Sequence, residues 1–419
     1  MVTALPIIQR DMNQPTEIVQ WLTTGYMLLI GVITPISSFL YNRFSSRQFF
    51  IGSILLFLFG TLIGSIAFNF WTLLLARLIQ ALSSGILSVF QMATLVSIFP
   101  PEKRGTIMGI SSLVVAFGPA IGPTLSGVIL SFLGWRYLFI IILPIMLIIL
   151  VIGILTFPNF TQAQKIKVDI QSIALSIVGP ALILISLSLI AQYLLLSLIG
   201  LVLGIFLTIK FIKRQLKLTN PILKVKVFND RGFRLMTIIS VLVMMNLLGM
   251  EQMLSIFVQD ITHLSSAQAG LVLFPGAILN ALCAAFSGQL YDRVGIKIPF
   301  ICGIILLTLG TIPFLFIRGT TTVIVMTISY AIRMIGISLI FSPSLSESFL
   351  KIIPQDISHA TAIGNTLRQV FGSISVSLLV TVSSLAPSFL KGMQVAMWIT
   401  MIFIISMVVI FIKYLCVNK

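Results

Sequence analysis

Glu251 is the one acid well inside an apolar stretch of this chain, and Ser255 and Gln259 follow it at i+4 and i+8. On a helix that spacing puts all three on one face as a polar stripe. A carboxyl held out of water binds its proton more tightly and can exchange it near neutral pH. Losing the proton leaves a charge that biases a two-state helix bundle and attracts lipophilic cations. The same residue also fits a neutral, hydrogen-bonded core position, or the wall of an outer vestibule. Asp260 marks the outer end of its segment.

Three arginines share this apolar setting. Arg77 lies about 9 Å along the axis from Trp71, with Gln80 one turn further on the same face. An arginine at that depth must face protein or water. It can tune an acid or sense protonation; equally, it can bond backbone carbonyls or snorkel to the interface. Arg368 is followed by Gln369, and Arg333 stands mid-segment, where a structural partner is the favoured role. Gly118-Pro119 and Gly122-Pro123 place two prolines four apart in one helix. Each proline deletes a backbone bond and bends the helix, and the glycines allow tight packing. An ordinary packing kink is the alternative.

The elements that position these groups are helices in lipid. Hydrophobic residues make up 58% of the 419, charged residues 9%, and the mean hydropathy is +1.14. A globular chain carries about 25% charged residues. In hydrocarbon the backbone must satisfy its own hydrogen bonds, so helices are expected, and the period-2 alternation of a β-barrel is absent. The fold class is an all-α polytopic membrane protein of about 13 transmembrane helices. The spans are expected near 18–41, 49–68, 71–98, 105–133, 135–157, 170–191, 193–212, 235–259, 267–290, 297–317, 320–343, 357–381 and 393–414.

The net charge of +16 suggests nucleic acid until its distribution is read. With the loop at 42–48 assigned to the cytoplasm, the opposite side holds only Arg10, Arg136, Arg318 and Lys391 of the lysines and arginines outside the spans. That bias is the positive-inside rule, with attraction to anionic lipid as a secondary effect. It implies a cell-membrane, multi-pass protein with a cytoplasmic C-terminus and no nucleic-acid partner. Lys165, Lys167 and Lys419 belong to the same basic side. Trp21, Trp71, Trp135 and Trp398 all fall near outer span ends, where amphipathic rings favour the interface. Cys283, Cys302 and Cys416 are scattered, which argues against a disulfide framework. His263 and His359 stand alone, with no metal-ligand spacing. Met1 to Ile8 reads as the tail of a helix whose body is absent, from an upstream start or a shortened protein.

Two basic-side loops match. Gly288-Gln-Leu-Tyr-Asp292-Arg293-Val-Gly295-Ile-Lys297 repeats the pattern of Ser38-Phe-Leu-Tyr-Asn42-Arg43-Phe-Ser45-Ser-Arg47. Two related helical halves follow, as in many transporters. The expected organisation is an N-terminal half over 1–157, two additional helices over 158–212, a basic loop over 213–234 and a six-helix half over 235–419. In the second copy the glycines let helix ends pack, and the Asp and Arg can pair across helices or cap one. That can lock one face of a transporter; a plain charged turn is the alternative. In the first copy Asn42 replaces the acid and serines replace both glycines, so its lock would be weaker.

With these motifs in place, the chain resembles the fourteen-helix drug:proton antiporters of the major facilitator superfamily. The resemblance rests on Leu5-Pro6-Ile7, Gln20-Trp21-Leu-Thr-Thr-Gly-Tyr26, Arg77-Leu-Ile-Gln80, Gly118-Pro119-Ala-Ile-Gly122-Pro123, Leu273-Phe-Pro-Gly276-Ala and Asn365-Thr-Leu-Arg368-Gln369. It implies a major facilitator fold with two extra central helices, lacking most of the first family helix. It also implies a role for the Gly118–Pro123 motif in antiport, and functional weight for Arg77, Gln80, Arg368 and Gln369. Ala81 and Val114 stand where the family usually has glycine.

The expected function is proton-coupled export of hydrophobic or cationic drug-like compounds, with the proton gradient as energy source, no cofactor, no metal and a monomeric chain in the bilayer. Glu251, Arg77, Gln80, Arg368 and Gln369 would serve coupling and transport. Gly288, Asp292, Arg293, Gly295 and Arg43 would form a cytoplasmic gate. No Gly-Lys dipeptide occurs, so a Walker-type nucleotide loop is missing. An enzyme would need a reactive constellation, and neither a His-Glu-x-x-His nor a Gly-x-Ser-x-Gly is present. Another facilitator substrate, or a form that inserts without transporting, are the alternatives.

Overall fold

A computed structural model describes residues 4–19, 21–159, 169–189, 193–218, 221–262, 266–319 and 321–417. Gln20, Lys165, Lys167, His263 and Lys419 lie outside the described residues. The described chain is helical, with no strand.

A short α1 (Leu5–Asp11) and one-turn α2 (Thr16–Val19) precede α3 (Trp21–Arg43), α4 (Ser46–Ser65), α5 (Phe70–Ile98) and α6 (Arg104–Phe132). The next span is broken into α7 (Tyr137–Ile140) and α8 (Ile142–Thr156); a hairpin of α9 (Ile170–Leu189) and α10 (Leu194–Lys217) follows. Then come α11 (Arg231–Asp260), α12 (Ser266–Val294), α13 (Lys297–Leu315), α14 (Val323–Ser348), α15 (Ile357–Leu385) and α16 (Phe389–Val417). Among the described residues twelve segments are long and apolar enough to cross a membrane; α6, whose apolar part is reckoned over Arg104–Val115, stands beside them. The basic loop is shorter than 213–234, because α10 continues to Lys217 and α11 begins at Arg231, with a 3-10 turn at Val225–Asn229 between them.

Several starts are set by side chains that satisfy orphan N–H groups. Ser45 and Gln48 form a capping box on α4. Asn69 Oδ1 accepts from Thr72 N (2.8 Å) at α5. Asp230 Oδ1 accepts from Phe233 N (2.7 Å) at α11.

The internal repeat extends far beyond the loops. Gly60 of α4 sits against the Ala76 carbonyl and Gln80 of α5, while Gly310 of α13 sits against Ser329 and Arg333 of α14. Thr61 bonds the Phe57 carbonyl (2.7 Å), and Thr311 bonds Leu307 (2.6 Å). Phe50 stacks on Phe157 with centroids 4.6 Å apart; Phe300 stacks on Phe411 at 3.7 Å. Each pair occupies the matching place in its half.

The halves meet chiefly through α6 on α12 and α3 on α15, and the α9–α10 hairpin leans on α3 and α15 through α9. Lipid tails offer no hydrophobic drive between helices, so contact depends on close packing. At the α6–α12 crossing, Gly105 and Gly109 face Ala284, Ala285 and Gly288. A Cβ on Gly109 would lie 2.5 Å from the Ala284 carbonyl, and one on Gly288 would strike the Gly105 carbonyl. This is a reciprocal small-x-x-x-small contact. At the end of the bundle opposite the α6–α12 crossing, Trp135 is 3% exposed rather than facing an interface. Its Nε1 donates to Asp11 (2.8 Å), which also pairs with Arg136 (3.3 Å). The aromatic ring is consumed in anchoring α1.

Gly288→Ala should lower the thermal midpoint in detergent by an amount equivalent to about 1–3 kcal/mol of overpacking. Gly118→Ala, in a helix position with open space around it, should instead raise stability, by up to about 1 kcal/mol, because alanine loses less backbone entropy in a helix. Equal effects of the two would remove the α6–α12 crossing as a packing determinant.

Candidate functional site

The intramembrane polar groups divide into one cluster per half, a third group on α15, and a seam on the basic face. In the first half Arg77 donates through Nη1 to Gln80 Oε1 (2.8 Å) and through Nε to the Leu22 carbonyl (3.3 Å). Its guanidinium lies 4.0 Å over the Tyr26 ring, a contact that gains strength out of water. Gln80, buried, passes the network to Thr61 Oγ1 (2.8 Å), and Tyr26 shares a hydrogen with Ser84 (2.7 Å). Arg77 therefore bonds both a backbone carbonyl and its i+3 partner, and among the described residues no carboxylate lies within ion-pair distance of it.

In the second half Arg333 is fully buried. It donates to Thr311 Oγ1, to the Asn246 carbonyl (3.1 Å) and to Asn246 Oδ1 (3.0 Å). Its Nε finds no acceptor. Because α4–α5 and α13–α14 are repeats, Arg333 holds the place of Gln80, and Tyr330 that of Arg77. Tyr330 is 2% exposed and lies on α14, which packs against α11, the helix that carries Glu251. Glu251 itself is partly buried, about 14 Å from the Asp260 end of α11 at ~1.5 Å per residue. Among the described residues no lysine or arginine lies within 4.0 Å of its carboxyl. Ser255 and Gln259 continue its stripe and bond each other at 3.1 Å; the Asp260 side chain lies outside the described parts.

Arg368 bonds Asn365 Oδ1 and Ser240 Oγ (3.2 Å) and lies 5.9 Å from the Phe341 ring. It ties α15 to α11 within the second half. Gln369 points the other way: its Cγ is 3.2 Å from where a Cβ on Gly31 would be. It therefore packs between the halves, on the α3–α15 contact.

The antiporter motif differs from its expected packing. Gly118 and Gly122 are exposed and have no atom within 4 Å of a built Cβ, so neither glycine serves a close helix crossing. Helix α6 runs unbroken through Pro119 and Pro123. Val114 is 61% exposed, whereas Ala81 is fully buried.

The seam is where the gate residues converge. Asp292 accepts from Gly105 N (2.9 Å), Thr106 N (2.7 Å) and Thr106 Oγ1 (2.5 Å). A carboxylate of one half thus caps the first turn of a helix in the other, where the dipole favours negative charge. Arg293 does not join it and is exposed; of the two roles open to the motif, pairing across helices or capping a helix end, Asp292 takes the cap. Gly288 provides the close approach, and Gly295 (φ +74) turns the chain out of α12. Arg43 stays on its own half, 5.8 Å from the Phe39 ring. Tyr291 donates to Glu347 Oε2 (2.7 Å), whose other oxygen takes the Tyr414 hydroxyl.

At the first copy, Asn42 Nδ2 lies 3.3 Å from Ser358 Oγ and 3.2 Å from His359 Nε2. Arg104 donates to the Phe349 carbonyl (3.2 Å), and Lys224 pairs with Asp356 (2.6 Å). His359, 5% exposed with Nδ1 unpartnered, is a seam residue that the sequence presented as isolated. Gly105 and Gly109 were also missed; their spacing of four was the available signal.

The model of the Major Facilitator Superfamily matches residues 1–376. An uncharacterized MFS-type transporter of Bacillus subtilis, YcnB, is 38% identical over 387 residues, covering 92% of this chain and 82% of that protein. The lincomycin resistance protein LmrB of Listeria innocua is 34% identical, covering 91% of this chain and 83% of its own. The crystal structure of the human organic anion transporter MFSD10 matches with a TM-score of 0.65 at 15% identity, covering 96% of this chain and 88% of that one. At that identity the likeness is one of fold.

Asp292→Asn should loosen the seam, since a charge at a helix N-terminus contributes up to about 2 kcal/mol when partly buried. With the three native cysteines replaced by serine, Ala360→Cys lies buried beneath the seam. Its labelling by a membrane-impermeant maleimide should quicken several-fold when Asp292→Asn is added. Unchanged labelling would show that the cap does not hold this face closed.

Proposed function

The chain belongs to the Major Facilitator Superfamily, a family of transporters rather than enzymes, and we propose that it is a proton-coupled antiporter exporting hydrophobic or cationic drug-like compounds across the cell membrane. The carrying observation is Glu251: a partly buried carboxyl inside a span, on the helix α11 that packs against α14, with no cation in ion-pair distance among the described residues. Such a group is stable in lipid only when it holds a proton or meets a cation. It can therefore exchange one for the other.

The basic face is cytoplasmic in this reading, and so is the C-terminus. The substrate binds near mid-membrane between the halves, with Arg77 and Gln80 on one side and Glu251 and Tyr330 on the other. Gln369 at the α3–α15 contact feels their relative movement. The seam at Asp292 and Asn42 opens and closes as the halves rock. The proton gradient supplies the energy, without a bound cofactor, and the protein works as a monomer. Similarity to a protein named for lincomycin resistance supports drug-like cargo.

Reconstituted in liposomes with an imposed pH gradient, the protein should couple uptake of a lipophilic cationic dye to proton movement. Glu251→Gln should insert normally and lose that coupling. Full proton-driven exchange by Glu251→Gln would remove the residue from the mechanism. Absence of dye-linked proton movement in the unaltered chain, across a panel of lipophilic cations, would sink antiport itself.

A further inference from the structure

We propose that the basic-face end of α10 is a binding site for the headgroup of an anionic phospholipid. Lys210, Lys213 and Lys217 are all exposed and recur at i, i+3 and i+7. They form one ridge along the last turns of the helix. Among the described residues none of the three has a carboxylate within ion-pair distance.

Above the ridge, α10 is bare. It touches the rest of the molecule chiefly through α9, and Leu195, Val202 and Phe206 are 74%, 70% and 59% exposed. In a membrane this face meets acyl chains. Ile209, Ile212 and Leu216 carry the exposed apolar surface down among the lysines. A lipid lying along α10 therefore finds apolar surface for its tails and positive charge for its phosphate on one continuous face.

The ridge is held in place. Arg214 forms an ion pair with Asp169 (3.0 Å) and also bonds Ser172 Oγ (3.1 Å). Gln215, buried, donates to Ser172 Oγ (2.7 Å) and accepts from Leu223 N (3.2 Å). Partial desolvation acts upward on the Asp169 carboxyl, but the Ser172 hydroxyl and N–H and the Arg214 guanidinium outweigh it, so it titrates below its ordinary range. It stays ionised at neutral pH, and its charge is spent on Arg214. Beside the ridge is a concavity of about 270 Å³ lined by Lys213, Arg214, Lys217 and Leu218. A helix C-terminus carries partial negative charge, which disfavours a phosphate. Three ammonium groups within its last turns, none in an ion pair among the described residues, reverse that field.

A topological signal needs only charge on the correct side. A fixed ridge flanked by a concavity and a bare apolar face goes further, because it selects a headgroup. Assigning the lipid to the inner leaflet rests on the orientation proposed above; the site does not.

The test is native mass spectrometry of the full chain released from vesicles of equal phosphatidylglycerol and phosphatidylcholine. The unaltered protein should retain phosphatidylglycerol in preference. A lysine near an anionic surface contributes about a fivefold factor, so K210Q/K213Q/K217Q should reduce the preference by at least tenfold. K210R/K213R/K217R should preserve it, and so should K226Q/R231Q/K413Q, which removes equal charge from the same face. Equal loss in both glutamine variants would reduce the effect to diffuse charge and overturn the site. So would an undiminished preference in K210Q/K213Q/K217Q, or a dimer that forms in place of lipid retention. Displacement of the lipid by millimolar glycerol phosphate would make it a soluble-phosphate site and overturn the lipid assignment.

Discussion

Two helix backbones touch where α6 crosses α12, and the coupling between the halves on the basic face follows from that contact. Gly105, Gly109 and Gly288 leave no room for a Cβ. Only because the backbones are that close can the short Asp292 side chain reach two N–H groups and a hydroxyl of the opposite half. In lipid this matters more than apolar area, since a leucine face gains nothing by leaving one hydrocarbon for another. Close approach and a charge at a helix end take the place that hydrophobic burial holds in a water-soluble core.

The internal repeat conserves geometry while redistributing charge. Gly60 and Gly310, Thr61 and Thr311, and the stacked pairs Phe50–Phe157 and Phe300–Phe411 keep the same roles in each half. Polar positions do not. Arg77 and Gln80 are matched by Tyr330 and Arg333, so the cation moves by one helical turn and becomes fully buried. The two latches diverge in the same way. Asp292 makes charge-assisted bonds of 2.5–2.9 Å, whereas Asn42 makes contacts of 3.2–3.3 Å to neutral groups. Charge-assisted bonds are roughly twice as strong as neutral ones. The α6–α12 side of the seam is therefore the firmer, and the α3–α15 side is held by softer contacts around His359.

Helix positions were legible because they follow from local properties: run length and hydropathy. The second-copy motif was legible as a helix end carrying an acid and glycines. Its partner was not, because Asp292 bonds backbone N–H groups, and a backbone has no residue-type signature. The same reason hid His359, whose meaning comes from Asn42 far along the chain. Trp135 misled in the opposite direction. A tryptophan at a span end usually faces the interface, but Asp11 offers it an acceptor and the α1 segment covers it. The glycines of Gly118–Pro123 were read as packing residues and face open space instead; small residues have two uses, close contact and empty volume, and sequence does not distinguish them.

Exposed glycines and tight backbone contact are features of one helix, α6, and they are separated along it. The first two turns of α6, from Arg104 to Gly109, are fixed to α12 by backbone contact and by the Asp292 cap. Further along, Val114, Gly118 and Gly122 are exposed. The internal hydrogen bonds of a helix resist bending except where proline removes one. Pro119 and Pro123 lie in α6 well beyond its anchored first turns. A bend at the motif would therefore leave the Asp292 cap and the Gly105–Gly288 contact in place, because both lie on the far side of it.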